Sequence, residues 1–197
     1  RLVRDEAGSA TTARTALAPG DDIFFVWKPR ARQTEFEKTV FFAEVTSLVR
    51  LDAGLAEGRH LIRFQIAQGE LKTIRVGVPE NMTVTAVSGD NVGAWRYEPA
   101  RKDVEVHLSR PATGEYEIVV TTQTSSEKMP YEVALGALQV RDAERQRSTL
   151  GLTTSPAVYV SSGDYGQPMN VDDFARAAAA LISETDPPQQ TGSRRAY

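Results

Sequence analysis

The stretch LIRFQIAQGELKTIRVGVPENMTVTAVSGDNVGAWRYEPARKDVEVHLSRPATGEYEIVVTT, from Leu61 to Thr122, decides the fold. Its apolar residues recur at every second position in six short runs, separated by Gly, Pro, Asn and Asp. Period two marks half-buried strands, because successive side chains of a strand point to opposite faces. His60, Ile62, Phe64 and Ile66 share one face, with Arg63 and Gln65 opposite. Gln68-Gly69 reads as a turn into Ile74, Val76 and Val78, and Pro79-Glu80-Asn81 as a turn into Met82, Val84 and Ala86. After Ser88-Gly89-Asp90-Asn91 comes a run carrying Trp95 and Tyr97; then Val104, Val106 and Leu108 alternate with Glu105 and His107. Arg110–Gly114 reads as a connection into Tyr116, Ile118 and Val120. Short strands at this spacing predict a mainly β fold, an antiparallel β-sandwich of immunoglobulin-like or jelly-roll-like kind.

Outward from this stretch, residues 1–20 read as a connector or an edge strand such as Ala13–Leu17. Ile23–Trp27 is a β-rich run ended by Lys28-Pro29. Thr39–Leu51 reads as one long strand in which Phe42 and Leu48 break the alternation, which predicts a register shift near Thr46-Ser47. Ala53–Gly58 reads as a loop. Tyr131–Val140 and Leu150–Val160 supply further strands around the charged stretch Arg141–Arg147. One helix is expected late, with Asn170 as N-cap, Asp172 and Asp173 in the first turn, and Val171, Phe174, Ala178, Leu181 and Ile182 on one stripe, ending by Asp186-Pro187-Pro188. The expected organisation is therefore a connector or edge strand over 1–20 and a sandwich over 21–125. Strands and the helix over 126–184 complete or abut it, and 185–197 form a tail.

A chain of 197 residues with a net charge of −3 carries no electrostatic footprint for nucleic acid or an anionic membrane. No apolar run is long enough to span a bilayer, and no leader opens the sequence. The initial Arg1 suggests a processed product or an excised piece. The absence of cysteine removes disulfides, thiol catalysis and Cys-ligated metals. Asn81-Met82-Thr83 matches an N-glycosylation acceptor pattern.

Four pieces, in order, carry a resemblance. They are the aromatic run closing in Trp27-Lys28-Pro29; Ile74–Pro79 with Val84–Gly89; Val92–Trp95 through to Gly114–Val120; and Ala143–Arg147 leading into Leu150–Leu152. Over roughly residues 20–160 the chain resembles segments of large bacterial envelope proteins built from successive β-sandwich units. The resemblance implies an extracytoplasmic, periplasmic or envelope-associated location and a multi-domain parent, and it supplies no catalytic residues.

The two histidines, His60 and His107, lack further metal ligands at recognisable spacing and read as ordinary strand residues. No Gly-x-Ser-x-Gly elbow is present, and Ser88-Gly89 and Ser162-Gly163 read as turns. Asp90-Asn91 and Asp164 have the oxygens for calcium but not the loop spacing. Arg63, Lys72 and Arg75 alternate with core positions and read as a solvated sheet face, and Arg141, Arg145 and Arg147 are interleaved with Asp142 and Glu144. Trp27, Trp95, Tyr97, Tyr159 and Tyr165 can form a sugar-stacking platform, with Trp95 and Tyr97 on one strand face; the competing reading packs Trp95 between sheets. No catalytic residue, metal site or cofactor is assigned. The expectation is a non-catalytic structural or protein-interaction module of a larger envelope protein, whose partner is a protein or a neighbouring domain. Its rivals are a carbohydrate-binding module and a carboxylate-dependent hydrolase.

Overall fold

The computed structural model describes residues 2–4, 11–13, 38–125, 135–159, 167–182 and 195–196. The chain divides into two units, Arg1–Arg32 and Gln33–Tyr197. In the first, β1 (Leu2–Arg4) pairs antiparallel with β2 (Thr11–Ala13). The expected runs at Ala13–Leu17, beyond Ala13, and at Ile23–Trp27 lie outside the described residues.

The second unit is mainly β. Its strands are β3 (Val40–Asp52), β4 (Leu55–Gly77), β5 (Thr83–Ser88), β6 (Val92–Glu98), β7 (Asp103–Ser125), β8 (Gln139–Val140), β9 (Arg145–Thr154) and β10 (Arg195–Ala196). They form one continuous sheet in the order β10-β9-β3-β4-β7-β5, with β6 added on β7 and β8 on β4. Where an antiparallel sandwich is expected, the sheet is mixed: β3 and β9 run parallel over Phe42–Leu51 and Arg145–Thr154, and the other pairings are antiparallel. The dipeptide Arg195-Ala196, expected in a tail, pairs with Leu152 and Gly151.

The organising feature is the pairing of two 23-residue strands, β4 and β7. The sequence predicts two strands joined by a turn in place of each, at Gln68-Gly69 and at Arg110–Gly114. Both strands instead run on. Residues 67–70 of β4 stand opposite Thr113 alone, and residues 108–111 of β7 opposite Lys72 alone, so each strand carries a bulge that the other offsets. Gly69 (φ 73°) and Gly114 (φ 71°) take the left-handed conformations these bends require. The same glycines that would serve a reversal here serve a corner.

Past the corner, the bulged segments keep separate neighbours. Gln68 pairs with Val40 of β3, and Leu108 with Val92 of β6. One core gathers Phe41, Val45, Ile62 and Phe64 from one side of the bend with Ile74, Val76, Val104 and Val106 from the other. The rings of Phe41 and Phe64 meet at 5.9 Å and those of Phe64 and Tyr116 at 6.3 Å. Ala53–Gly58, expected as a loop, is a tight hairpin: Asp52 pairs with Leu55, and Gly54 turns the chain at φ 79°.

The helix α1 (Val171–Ala177) is where its cap predicts. Asn170 accepts a hydrogen bond from the Asp172 amide at 2.8 Å, with Asp172 and Asp173 in the first turn. A 3-10 turn, Ala179–Leu181, follows. Phe174, Ala178 and Leu181 are buried on Leu61, Leu48 and Val119, the outer face of the sheet, while Val171 and Ile182 stay exposed. Leu48 breaks the alternation of β3 because the helix covers it; the register shift of β3 lies between Val40 and Phe41, not at Thr46-Ser47. Arg63, expected on a solvated face, lies under this helix, and Arg59 and Arg63 donate to the carbonyls of Leu181 (2.5 Å) and Ala177 (3.4 Å). Cations there complement the negative end of the helix dipole.

Gly151 makes this docking possible: a Cβ at that position would stand 2.2 Å from the Phe174 ring. Gly151→Ala is therefore expected to push Phe174 out of its seat and cost about 1–3 kcal/mol. Chemical denaturation checks it, together with the same change in a Phe174→Ala background. There the cost should largely disappear, and an undiminished cost would show that the two residues do not meet.

Candidate functional site

Three buried polar side chains from three strands meet on the apolar face of the sheet. His60, on the apolar parity of β4, is 0% exposed. Its Nδ1 is 2.8 Å from the Ser47 hydroxyl on β3, directly across the strand pair, and its Nε2 is 2.9 Å from the Thr122 hydroxyl on β7. Ser47 and Thr122 are buried too, and Thr122 Oγ1 also reaches the Met82 sulfur at 3.9 Å. The diagonal reach to Thr122 is open because position 58, opposite Thr122, is glycine. A Cβ there would stand 2.6 Å from both His60 Nε2 and Thr122 Oγ1.

A neutral imidazole donates from one ring nitrogen and accepts at the other, and two hydroxyls match either tautomer. Burial pushes the His60 imidazole from 6.5 down to about 4, so it is neutral at physiological pH. Serine and histidine stand in contact, but the array is sealed from solvent and the second nitrogen ends on threonine rather than a carboxylate. A nucleophilic pair needs an orienting group and access to substrate. The array saturates its own polar atoms within the core.

His107 lies across the bend, exposed, with Thr73 Oγ1 at 3.4 Å from Nδ1 and Glu105 at 3.8 Å from Nε2. The two histidines do not meet: His60 pairs with Val120 and His107 with Thr73. Trp95 and Tyr97 share a face of β6, opposite Val106 and Val104. Both are half-buried against the core, and the Tyr97 hydroxyl donates to the Met82 carbonyl at 3.2 Å. Tyr159 is 89% exposed; Trp27, Tyr165, Ser162 and Asp164 lie outside the described residues. Asp90-Asn91 forms the β5–β6 turn with Asn91 at φ 62°, its side-chain oxygen accepting from Arg110 at 2.7 and 3.1 Å. Among the described residues no three His, Asp or Glu side chains gather to hold a metal ion, and no helix is long and apolar enough to cross a membrane.

The outer faces carry paired charges. Arg75 meets Asp142 at 2.7 Å and Arg141 meets Asp103 at 2.9 Å, the Arg141 guanidinium lying over Gly77. The Asp142 carboxylate, through its hydrogen bond and charge, holds the Arg75 guanidinium above its ordinary range. Beside the β8–β9 link, the Gln146 side chain accepts from the Val140 amide at 2.7 Å and donates to the Leu138 carbonyl at 2.7 Å, standing in for a strand neighbour.

No motif in the sequence assigns a site role to Ser47, Thr122, Gly58 or Gln146. Parity offered one signal: Ser47 falls in step with Phe41, Ala43 and Val45, and Thr122 in step with Ile118 and Val120.

No family model and no curated protein matches the chain. Among solved structures it is similar to the M1 zinc metallopeptidase of Deinococcus radiodurans, at 11% identity and a TM-score of 0.45, over 83% of this chain and 40% of that one. A mutant of that peptidase with a bound Tyr-Ser-Ala substrate matches at 11% identity and a TM-score of 0.43, over 80% and 38%. The chain thus spans about two fifths of the length of these structures.

Proposed function

We propose that the chain is a non-catalytic β-module, sandwich-like in its doubled sheet, that serves a larger extracytoplasmic bacterial protein as a rigid body for protein contacts. The observation that carries this reading is the sealed array of Ser47, His60 and Thr122, which commits the side chains best suited to nucleophilic chemistry to the core. Trp95 and Tyr97 are half-buried against the apolar core, which favours a packing role over a free stacking platform for sugar. What the module offers a partner is backbone at its strand edges and alternating charge on its faces.

The test is the native protein's size and cellular fraction, read by immunoblot of fractionated cells. A band far above 21.6 kDa in the envelope fraction is expected. A soluble cytoplasmic band near 21.6 kDa overturns the reading.

A further inference from the structure

We propose that the outer edge of β9, from Arg145 to Thr149, accepts an extended acidic strand from a protein partner. This inference rests on the reading of the chain as an interaction module and names where and how the contact is made.

The chain already demonstrates strand addition on this edge. β10 lies antiparallel on Leu152 and Gly151, and among the described residues nothing pairs with the same edge from Arg145 to Thr149. On the other side β9 is held by β3 through the whole of its length, so the edge is backed by a rigid neighbour.

Charge then selects the partner. Directly paired residues share a face, and one row across the sheet reads Glu117, Arg63, Glu44, Arg147, on β7, β4, β3 and β9 in turn. The signs alternate strictly, and Arg63 stands 3.5 Å from Glu117. The row ends on a cation at the open edge, so the next strand outward continues the pattern with a carboxylate. The adjacent row, Glu115, Gln65, Phe42, Arg145, also ends on arginine. Arg145 and Arg147 are both exposed. A third position agrees: the Thr149 hydroxyl is buried without a hydrogen-bond partner among the described residues, and a threonine opposite it on an added strand would supply one. Opposite charges across a strand pair attract and like charges repel, so this edge favours acidic residues at alternate positions over basic ones.

An antiparallel guest in line with β10 would place its residues opposite Thr149, Ser148, Arg147, Gln146 and Arg145 in that order. The probe is a blocked peptide Thr-Val-Glu-Val-Glu, titrated to millimolar concentration into the isotope-labelled full chain and followed by amide chemical shifts. Shifts centred on Arg145–Thr149 are expected, with binding about fivefold weaker when lysine replaces both glutamates. The double variant R145E/R147E is expected to invert that preference. N-methylation of alternate peptide amides in one frame should abolish binding, and in the other frame leave it intact, since only one set of amides faces β9.

No binding, equal binding of the two peptides, equal loss in both methylation frames, or shifts on another edge would each overturn the assignment. Shifts on the β5 or β6 edge would do so while leaving the module reading standing, and that reading falls separately on the fractionation experiment.

Discussion

Gly58→Ala is expected to destabilise the fold by about 2–4 kcal/mol, from overpacking and from broken hydrogen bonds together. The methyl group would enter the space between His60 Nε2 and Thr122 Oγ1, 2.6 Å from each. Neither atom has an easy retreat: the imidazole is tied at its other nitrogen to Ser47, and Thr122 is held between strands, opposite Gly58 of β4 and Val84 of β5. Swinging the ring away would break the contacts of His60 with the buried Ser47 and Thr122 hydroxyls, and a buried polar group left without its partner costs more than an ordinary lost hydrogen bond. Urea denaturation at neutral pH measures the loss. Adding Thr122→Ala should recover part of it by removing one of the two atoms struck. A Gly58→Ala protein as stable as the parent would mean that the array is not held as described.

The second large effect is acid destabilisation through His60. Its folded-state pKa, about 4, lies below the unfolded value of 6.5. Between those values the unfolded chain binds a proton that the folded chain refuses, so stability falls as pH falls from about 6.5 to about 4 and this contribution then levels off. The full span amounts to roughly 3 kcal/mol. Its hydrogen-bond partners, Ser47 and Thr122, are uncharged, so neither compensates a buried imidazolium. Carboxylates titrate near the lower end of the range, and a variant isolates the histidine. His60→Gln keeps an amide that can both donate and accept but does not titrate. Its unfolding free energy should be flat between pH 6.5 and 5, where the parent's declines. Parallel pH profiles for the two proteins would remove His60 as the cause.

How far the sequence carried this picture depends on what each residue type can say. Alternation at His60–Ile66, Ile74–Val78, Val104–Leu108 and Tyr116–Val120 named the buried face of each segment, because period two follows from strand geometry alone. Strand length was not legible. Gly69 and Gly114 adopt positive φ, a conformation shared by turns and bulges, and only the partner strand decides which one forms. The burial of His60 could be read from its parity, but its partners stand 13 and 62 positions away and became neighbours through register. The odd parity of Leu48 was visible, and its cause, a helix more than a hundred residues later in the chain, was not. Cap chemistry is local, so the start of that helix was read correctly from Asn170, Asp172 and Asp173.

The parallel pairing of β3 with β9 also shapes how the chain comes to be folded. β3 can close its hairpin with β4 as soon as both have left the ribosome, since their turn is two residues, Ala53 and Gly54. Its other edge waits for a strand made roughly a hundred residues later, an interval on the order of 5–20 s at typical rates of synthesis. During that time a 13-residue strand with an apolar face stands with one side unzipped. Pairings so distant along the chain are slow to form. The nascent protein is most open to mispairing in that interval, and a chaperone that shields the vacant side of β3 would raise the yield of folded protein more than one acting on the finished chain.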